Sequence, residues 1–248
     1  MKKHNKAIIA SGASIIAAAV IFVCVILLYN GVIKFNDPDK ERYPVRGVDV
    51  SSYQGEIDFE VLARQGIDFA FIKATEGSEF VDEYFSENYK NAQAAGIRVS
   101  AYHFFSFDSV GITQAENFIE NVPYCDGMLP PVVDVELYGE YVSAKPTDTE
   151  RIISELHVFV DTLKEKYGLT PIIYTMYDSY KMFVEGDFEE CDIWIRDIYR
   201  FPELPDGREW RFWQYSNRGR LDGYNGEEKY IDLNVFSGSR EDFELYGR

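Results

Sequence analysis

The chain has 248 residues, a length that fits one large domain or two small ones, and with 46% of them hydrophobic there is enough apolar material for a packed core. A formal net charge of −17 excludes nucleic acid as a partner, because phosphate recognition needs clustered Lys and Arg, and it provides no simple attraction to an anionic cell wall. The aromatic share of 16% suits a β-rich core and a carbohydrate-binding cleft alike.

From residue 7 to residue 29 no side chain is charged. As a helix this run reaches about 35 Å at ~1.5 Å per residue, enough for a hydrocarbon core of ~30 Å. Lys2, Lys3 and Lys6 before it predict a cytoplasmic amino end, with everything after the span outside the cell. A cleaved signal peptide would carry a shorter apolar stretch of ~7–15 residues and a small-residue cleavage site, whereas residues 21–29 are bulky throughout. The expected organisation is a cytoplasmic tail at 1–6, a transmembrane anchor at 7–33, a linker at 34–45 and one domain at 46–248. The linker reading rests on NDPDKERYP at 36–44, which is polar and carries two prolines.

Within the domain, short apolar runs alternate with helical patterns. Strands are predicted at 47–50, 69–74, 99–105 and 132–135, each followed by a helix, at 59–65, 84–95, 113–122 and 149–167. Gly96 and Gly168 close two of these helices, and Pro146 and Thr147 introduce the longest. A fifth strand at 171–175 leads into a short helical segment at 177–183. Runs at 193–195, 211–215 and 230–235 then read as strands with no long amphipathic helix between them. The expected fold is α/β: a modified TIM-like barrel of about five βα units followed by three strands, preceded by one transmembrane helix.

The stretch LPPVVDVE at 129–136 carries the strongest chemical signal. Residues two apart on a strand share a face, so Asp134 and Glu136 project together at the carboxyl end of the strand, where parallel barrels place their active sites. Adjacent like charges raise the pKa of one carboxyl, and a carboxyl protonated near neutrality is what a glycosidase needs as general acid. A lone D-x-E is more often plain strand-end polarity. Here Asp49, on the first strand, and Asp232, on the last, add two acids from strands that are neighbours in a closed barrel. Tyr102, Tyr174, Trp194 and Tyr215 lie near strand ends, where rings can stack on sugars, although each taken singly is more often core. The histidines, His4, His103 and His157, are far apart, so neither a metal nor another cofactor is expected. Cys24 lies in the span, and the remaining Cys125 and Cys191 form no disulfide framework; sequence leaves a bridge between them open.

The ordered set GVDVSSYQGEIDF, FAFIKATEG, AYHFF, LPPVVDVE, PIIYT, WQYS and IDLNVF resembles the glycoside hydrolase family 25 lysozymes, the Chalaropsis-type muramidases, over residues 46–236. The resemblance implies a barrel of five βα units and three strands, and cleavage of the β-1,4 bond between N-acetylmuramic acid and N-acetylglucosamine in peptidoglycan strands. It implies Glu136 as acid/base, Asp134 as the carboxylate assisting the substrate's acetamido group, and Asp49 and Asp232 as further cleft acids. Gln214 of WQYS joins the four aromatic rings as a candidate substrate-binding residue. Two departures concern subsites: Phe59 stands where many members have Trp, and Arg196 and Asp197 follow Trp194 where a small residue is commoner. The anchor is outside the family pattern and points to wall remodelling at the cell membrane. The competing reading is a catalytically silent wall-binding or scaffold protein in a membrane assembly, which the four intact acids disfavour.

Overall fold

The computed structural model describes the backbone of residues 2–34 and 36–248, with side chains from residue 14 onward. The chain divides after residue 35 into two units. In the first, α1 (Lys2–Tyr29) is one continuous helix that ends where Gly31 adopts a φ of 67°. Its apolar side chains, such as Ile15, Ile16, Ile21 and Phe22, are exposed. Among the described residues no helix is long and apolar enough to cross a membrane, so the expected anchor finds no support here; the side chains of residues 2–13, part of that expectation, lie outside the described ones.

The second unit contains the strands β1 (Arg46–Val50), β2 (Phe69–Glu76), β3 (Phe80–Val81), β4 (Arg98–Phe104), β5 (Val132–Val135), β6 (Ile172–Thr175), β7 (Ile193–Arg196), β8 (Phe212–Gly219) and β9 (Ile231–Phe236). Eight of them close a ring in the order β1-β9-β8-β7-β6-β5-β4-β2, with β2 back on β1, while β3 pairs only with β2 as a lip outside the ring. The pairings from β1–β2 round to β7–β8 are parallel. By contrast β9 runs antiparallel to both β8 and β1. The result is a mixed α/β barrel, with α2 (Phe59–Arg64), α3 (Phe85–Ala94), α4 (Gly111–Asn121) and α5 (Thr149–Tyr167) following the first four parallel strands. A short α6 (Tyr177–Ser179), continued by a π turn, follows β6, and α7 (Arg240–Leu245) ends the chain.

Local chemistry sets these boundaries. The Asp148 carboxylate accepts from the Arg151 amide and starts α5, while Gly168, at φ 69°, ends it. Ile152, Leu156, Phe159 and Leu163, spaced four, three and four apart, form the buried stripe that lays α5 on the sheet. The period of two does the same for the strands: Val48, Ala70 and Ile72 face the helices, while Phe69, Phe71, Phe212 and Phe236 fill the barrel interior. Phe69 touches Phe71 and Phe212, each at 5.3 Å between ring centroids, and Phe243 of α7 plugs the floor at 5.6 Å from Phe69. Each such pair adds ~0.5–1.5 kcal/mol beyond the area it buries. Gly47 is required where β1 crosses this cluster, since a Cβ there would lie 2.3 Å from the Phe69 ring.

One expectation changes. Residues 36–45 are no spacer: they belong to the barrel unit, with Pro38 and Tyr43 buried. The Tyr43 ring packs 5.8 Å from that of Trp210, Arg46 Nη2 donates to the Pro38 carbonyl at 2.7 Å, and Asn36 Nδ2 donates to the Asp197 carbonyl at 2.8 Å. Polar composition disguised the single ring that anchors this strap. Cys125 and Cys191 are both free thiols.

Candidate active site

At the carboxyl end of the parallel strands the interior positions turn from aromatic to ionic. Gly47 and Asp49 share a face of β1, as do Phe69, Phe71 and Lys73 on β2, Val132 and Asp134 on β5, Trp194 and Arg196 on β7, and Phe212 and Gln214 on β8. Reversed polarity puts the start of β9 at this same end, so Asp232 sits directly opposite Asp49 in the β1–β9 ladder. A cleft of ≈ 550 Å³ opens here, and at its floor lies a cavity of ≈ 140 Å³ lined by Asp49, Asp134, Glu136, Asp232, Tyr102, Tyr174, Trp194 and Gln214. A larger groove of ≈ 760 Å³ between α2, α3 and residues 223–225 holds none of these carboxylates, so size alone does not locate the chemistry.

Asp49 and Asp232 are held by amides. Gln214 Nε2 donates to Asp49 Oδ1 at 3.0 Å, to Asp49 Oδ2 at 2.9 Å and to Asp232 Oδ2 at 3.1 Å. Asn234 Nδ2 reaches Asp49 Oδ2 at 2.7 Å. Burial pushes Asp49 from its ordinary 3.8 up to about 6, against the pull of these hydrogen bonds and of Arg196. Burial, and then the charge of Asp49, push Asp232 well above the carboxylate range. Like charges directly opposite on a ladder repel, so the second ionisation of this pair is disfavoured.

Asp134 and Glu136 are placed differently. Burial and the neighbouring Glu136 charge push Asp134 well above 3.8, with Lys73 pulling it down. Burial raises Glu136 too, opposed by Arg196 and Lys73 and helped by Asp49. Both carboxyls of the pair therefore resist ionisation, and they titrate together. Asp134 Oδ1 is buried and has no hydrogen-bond partner among the described residues. An open acceptor of this kind at a cleft floor is available to a substrate donor.

The rings divide by strand face. Tyr102 and Tyr174 line the cleft, and the Tyr174 hydroxyl donates to Gln214 Oε1 at 3.1 Å. Trp194 is sealed below as part of the floor, its Nε1 donating to Asn234 Oδ1 at 2.8 Å and its ring 4.4 Å from those of Phe71 and Tyr174. It therefore shapes the cavity and offers no face for stacking in the open cleft. Tyr215 lies outside the cleft altogether. It belongs to the outer layer, accepting from Arg46 Nη1 at 3.1 Å and packing 5.9 Å from Trp213. Gln214 points into the cleft, while Tyr215, its neighbour on β8, packs in the outer layer. Sequence reasoning passed over Lys73, which with Arg196 supplies the cations among the cleft carboxylates, and Asn234, which joins Trp194 to Asp49; it noted Arg196 only as a subsite departure. The signal for Lys73 was its place two residues after the inward Phe71.

The chain matches Glycosyl hydrolases family 25 over residues 48–224. It is 36% identical over 209 residues to YegX of Escherichia coli O157:H7, covering 82% of this chain and 74% of that protein. It is 33% identical to lysozyme M1 of Streptomyces globisporus, with coverage of 79% and 68%. Among solved structures, a family 25 glycosyl hydrolase from Bacillus anthracis superposes with a TM-score of 0.82 at 52% identity, covering 87% of this chain and 98% of that one. The bacterial lysozyme of Streptomyces coelicolor gives 0.74 at 31% identity, with coverage of 82% and 96%. This chain belongs to the family 25 glycosyl hydrolases.

Proposed function

We propose that the barrel is a peptidoglycan muramidase that hydrolyses the β-1,4 bond between N-acetylmuramic acid and N-acetylglucosamine, with Glu136 as acid/base and Asp134 as the assisting carboxylate. The observation that carries this reading is the Asp134/Glu136 pair at the end of β5, raised by burial and facing Lys73 and Arg196. Glu136 gives its proton to the leaving sugar oxygen as the glycosidic bond breaks. The substrate's acetamido oxygen bonds to the anomeric carbon, and Asp134 orients the acetamido N–H and balances the positive charge that develops. Glu136, now a carboxylate, takes a proton from water as that water opens the cyclic intermediate, which restores the starting state. Asp49 and Asp232 shape the cavity floor and keep a net negative field under the reacting sugar. Tyr102, Tyr174 and Gln214 are the side chains offered to the glycan.

Digestion of purified peptidoglycan by the chain, with identification of the new reducing end, tests the reading. Muramic acid at that end supports it, glucosamine assigns another bond, and no product returns the silent scaffold. The α1 helix is proposed to hold the barrel at the outer face of the cell membrane, in wall remodelling. Support comes from the uncharged run 7–29, its basic flank, and the exposed apolar side chains along it. Extraction of the full chain from membranes by high salt, or a mature amino terminus beyond Tyr29, would refute the anchor and leave the chemistry untouched.

A further inference from the structure

Two cations stand among the carboxyls of the cleft, and their surroundings differ. Lys73 lies on β2 and Arg196 on β7, four strands apart in either direction round the ring, with Asp49 and Asp232 on one arc between them and Asp134 and Glu136 on the other. We propose that Arg196 is a positioning residue for the acid/base: its guanidinium is the counter-charge for the carboxylate that Glu136 becomes once its proton has gone to the leaving sugar, and it thereby fixes the upper end of the pH range of turnover. The proposal rests on the muramidase reading above.

The charge of Lys73 is already engaged. Its Nζ donates to Glu76 Oε2 at 2.7 Å and lies 5.2 Å from the centroid of the Phe104 ring and 5.3 Å from that of Phe80. Arg196 is placed otherwise. Its Nη1 donates to Met176 Sδ at 3.5 Å, a weak acceptor, and its guanidinium forms no ion pair among the described residues. The acids on its far side are held by other groups. Asp197 Oδ1 accepts from the Tyr199 and Arg200 amides, both at 2.9 Å, its Oδ2 accepts from the Tyr177 hydroxyl at 3.1 Å, and Asp178 is paired with Lys145 at 3.0 Å. The positive charge of Arg196 is therefore left to the cleft. Local sequence puts it there: in IWIR at 193–196 the period of two turns Trp194 and Arg196 inward, and the β7–β8 ladder sets Arg196 beside Gln214, whose amide holds Asp49 and Asp232. Arg196 is also one of the departures from the family pattern, so this charge is a feature of the chain's own sequence.

Glu136 is the group with most need of it. Half-buried just past β5, it shares the cleft with Asp134 of its own strand, with Asp49 of β1 and Asp232 of β9, and with Glu228 and Tyr230 from the segment before β9. From β2 it faces Lys73, already paired with Glu76. Tyr102 of β4 and Tyr174 of β6 keep their protons, because burial pushes both hydroxyls well above their ordinary range. Burial raises Glu136, and Arg196 opposes that rise more than Lys73 does. At Asp49 and Asp232, too, burial raises the carboxyl and Arg196 pulls it down. Without the guanidinium, release of the Glu136 proton would set another negative charge among buried acids with no opposite charge free to meet it.

The test removes the charge and keeps an unbranched side chain. In Arg196→Met the alkaline limb of the kcat–pH profile on peptidoglycan should move up by about one pH unit, and kcat at neutral pH should fall about tenfold. Arg196→Gln should give the same displacement, so a folding defect in one variant does not decide the matter. Arg196→Lys should return the limb to within about 0.3 unit of wild type, because it restores the charge. An unmoved limb with KM raised about tenfold makes the guanidinium a substrate-binding group, and equal losses at every pH in all three variants make it a structural one; either result overturns the proposal. A reading without substrate separates it from the muramidase assignment. In the full chain carrying isotope-labelled glutamate, the Cδ resonance of Glu136, identified by its loss in Glu136→Gln, should titrate about one unit higher in Arg196→Met than in wild type. A raised midpoint in a chain that cleaves no peptidoglycan sinks the muramidase and keeps the coupling of Arg196 to Glu136. Cleavage with an unmoved midpoint does the reverse.

Discussion

Asp49 and Asp232 face each other across two antiparallel strands, and the amides of Gln214 and Asn234 donate to them. Asp134 and Glu136 stand two apart along one stretch of chain, with a buried Asp134 oxygen left unpartnered and two cations nearby. Both pairs are buried acids with raised pKa values, yet their bonding differs. Where protein amides already satisfy the carboxylates, the pair is an electrostatic floor. Where valence is left open, the pair can exchange protons with, and bond to, something that arrives.

The sharpest way to break this distinction is Glu136→Gln. It should cost ~10²–10⁴-fold or more in kcat on peptidoglycan with the fold intact, because no other acid reaches the leaving oxygen. Near-normal turnover would place the acid elsewhere. Asp134→Asn should cost about 10²-fold and also move the alkaline limb of the pH–rate profile to lower pH. That limb reports loss of the last proton of the pair, and the proton leaves more easily when it no longer creates two adjacent negative charges. A limb that stays in place would mean that the two carboxyls do not communicate.

Substitutions in the other pair should be milder for rate and more visible in stability. Asp49→Asn should slow turnover by about tenfold. Asp49 titrates at about 6 in the folded chain against an ordinary 3.8, so between those values the folded state binds more protons than the unfolded state, and stability falls as pH rises through the window. Asp49→Asn removes that loss. The drop in unfolding free energy from pH 4 to pH 7 should therefore be about 1–3 kcal/mol smaller in the variant than in wild type, measured by urea unfolding at both pH values. Equal drops would contradict the buried-acid account. Tyr215→Phe is expected to do least: it removes the hydrogen bond from Arg46, costs ~0.5–1 kcal/mol of stability and leaves turnover within about twofold. A large loss of activity there would return Tyr215 to the cleft.

What was legible in the sequence follows from short-range geometry. The strand carrying Asp134 and the helix from Thr149 to Tyr167 were readable from periodicity and caps, because both depend on neighbours a few residues away. The D-x-E spacing likewise put two carboxyls on one face before any fold was known. Lys73 was missed because a lysine after an apolar strand reads as ordinary strand-end polarity, and Tyr43 because one ring in a charged stretch has no period.

By itself, then, the chain's order of residues determined the βα alternation, the candidate acids and the side-by-side placement of Asp134 and Glu136. Only the tertiary structure decided that β9 runs backwards, which brings Asp232 to the carboxyl end of the parallel strands and opposite Asp49. It also decided that Trp194 is floor, that Tyr215 faces the outer layer, and that Arg196 stands among the acids. Strand direction, facing and charge neighbourhood are properties of pairs of residues remote in sequence, held together by ring closure and aromatic packing, and no local pattern encodes them.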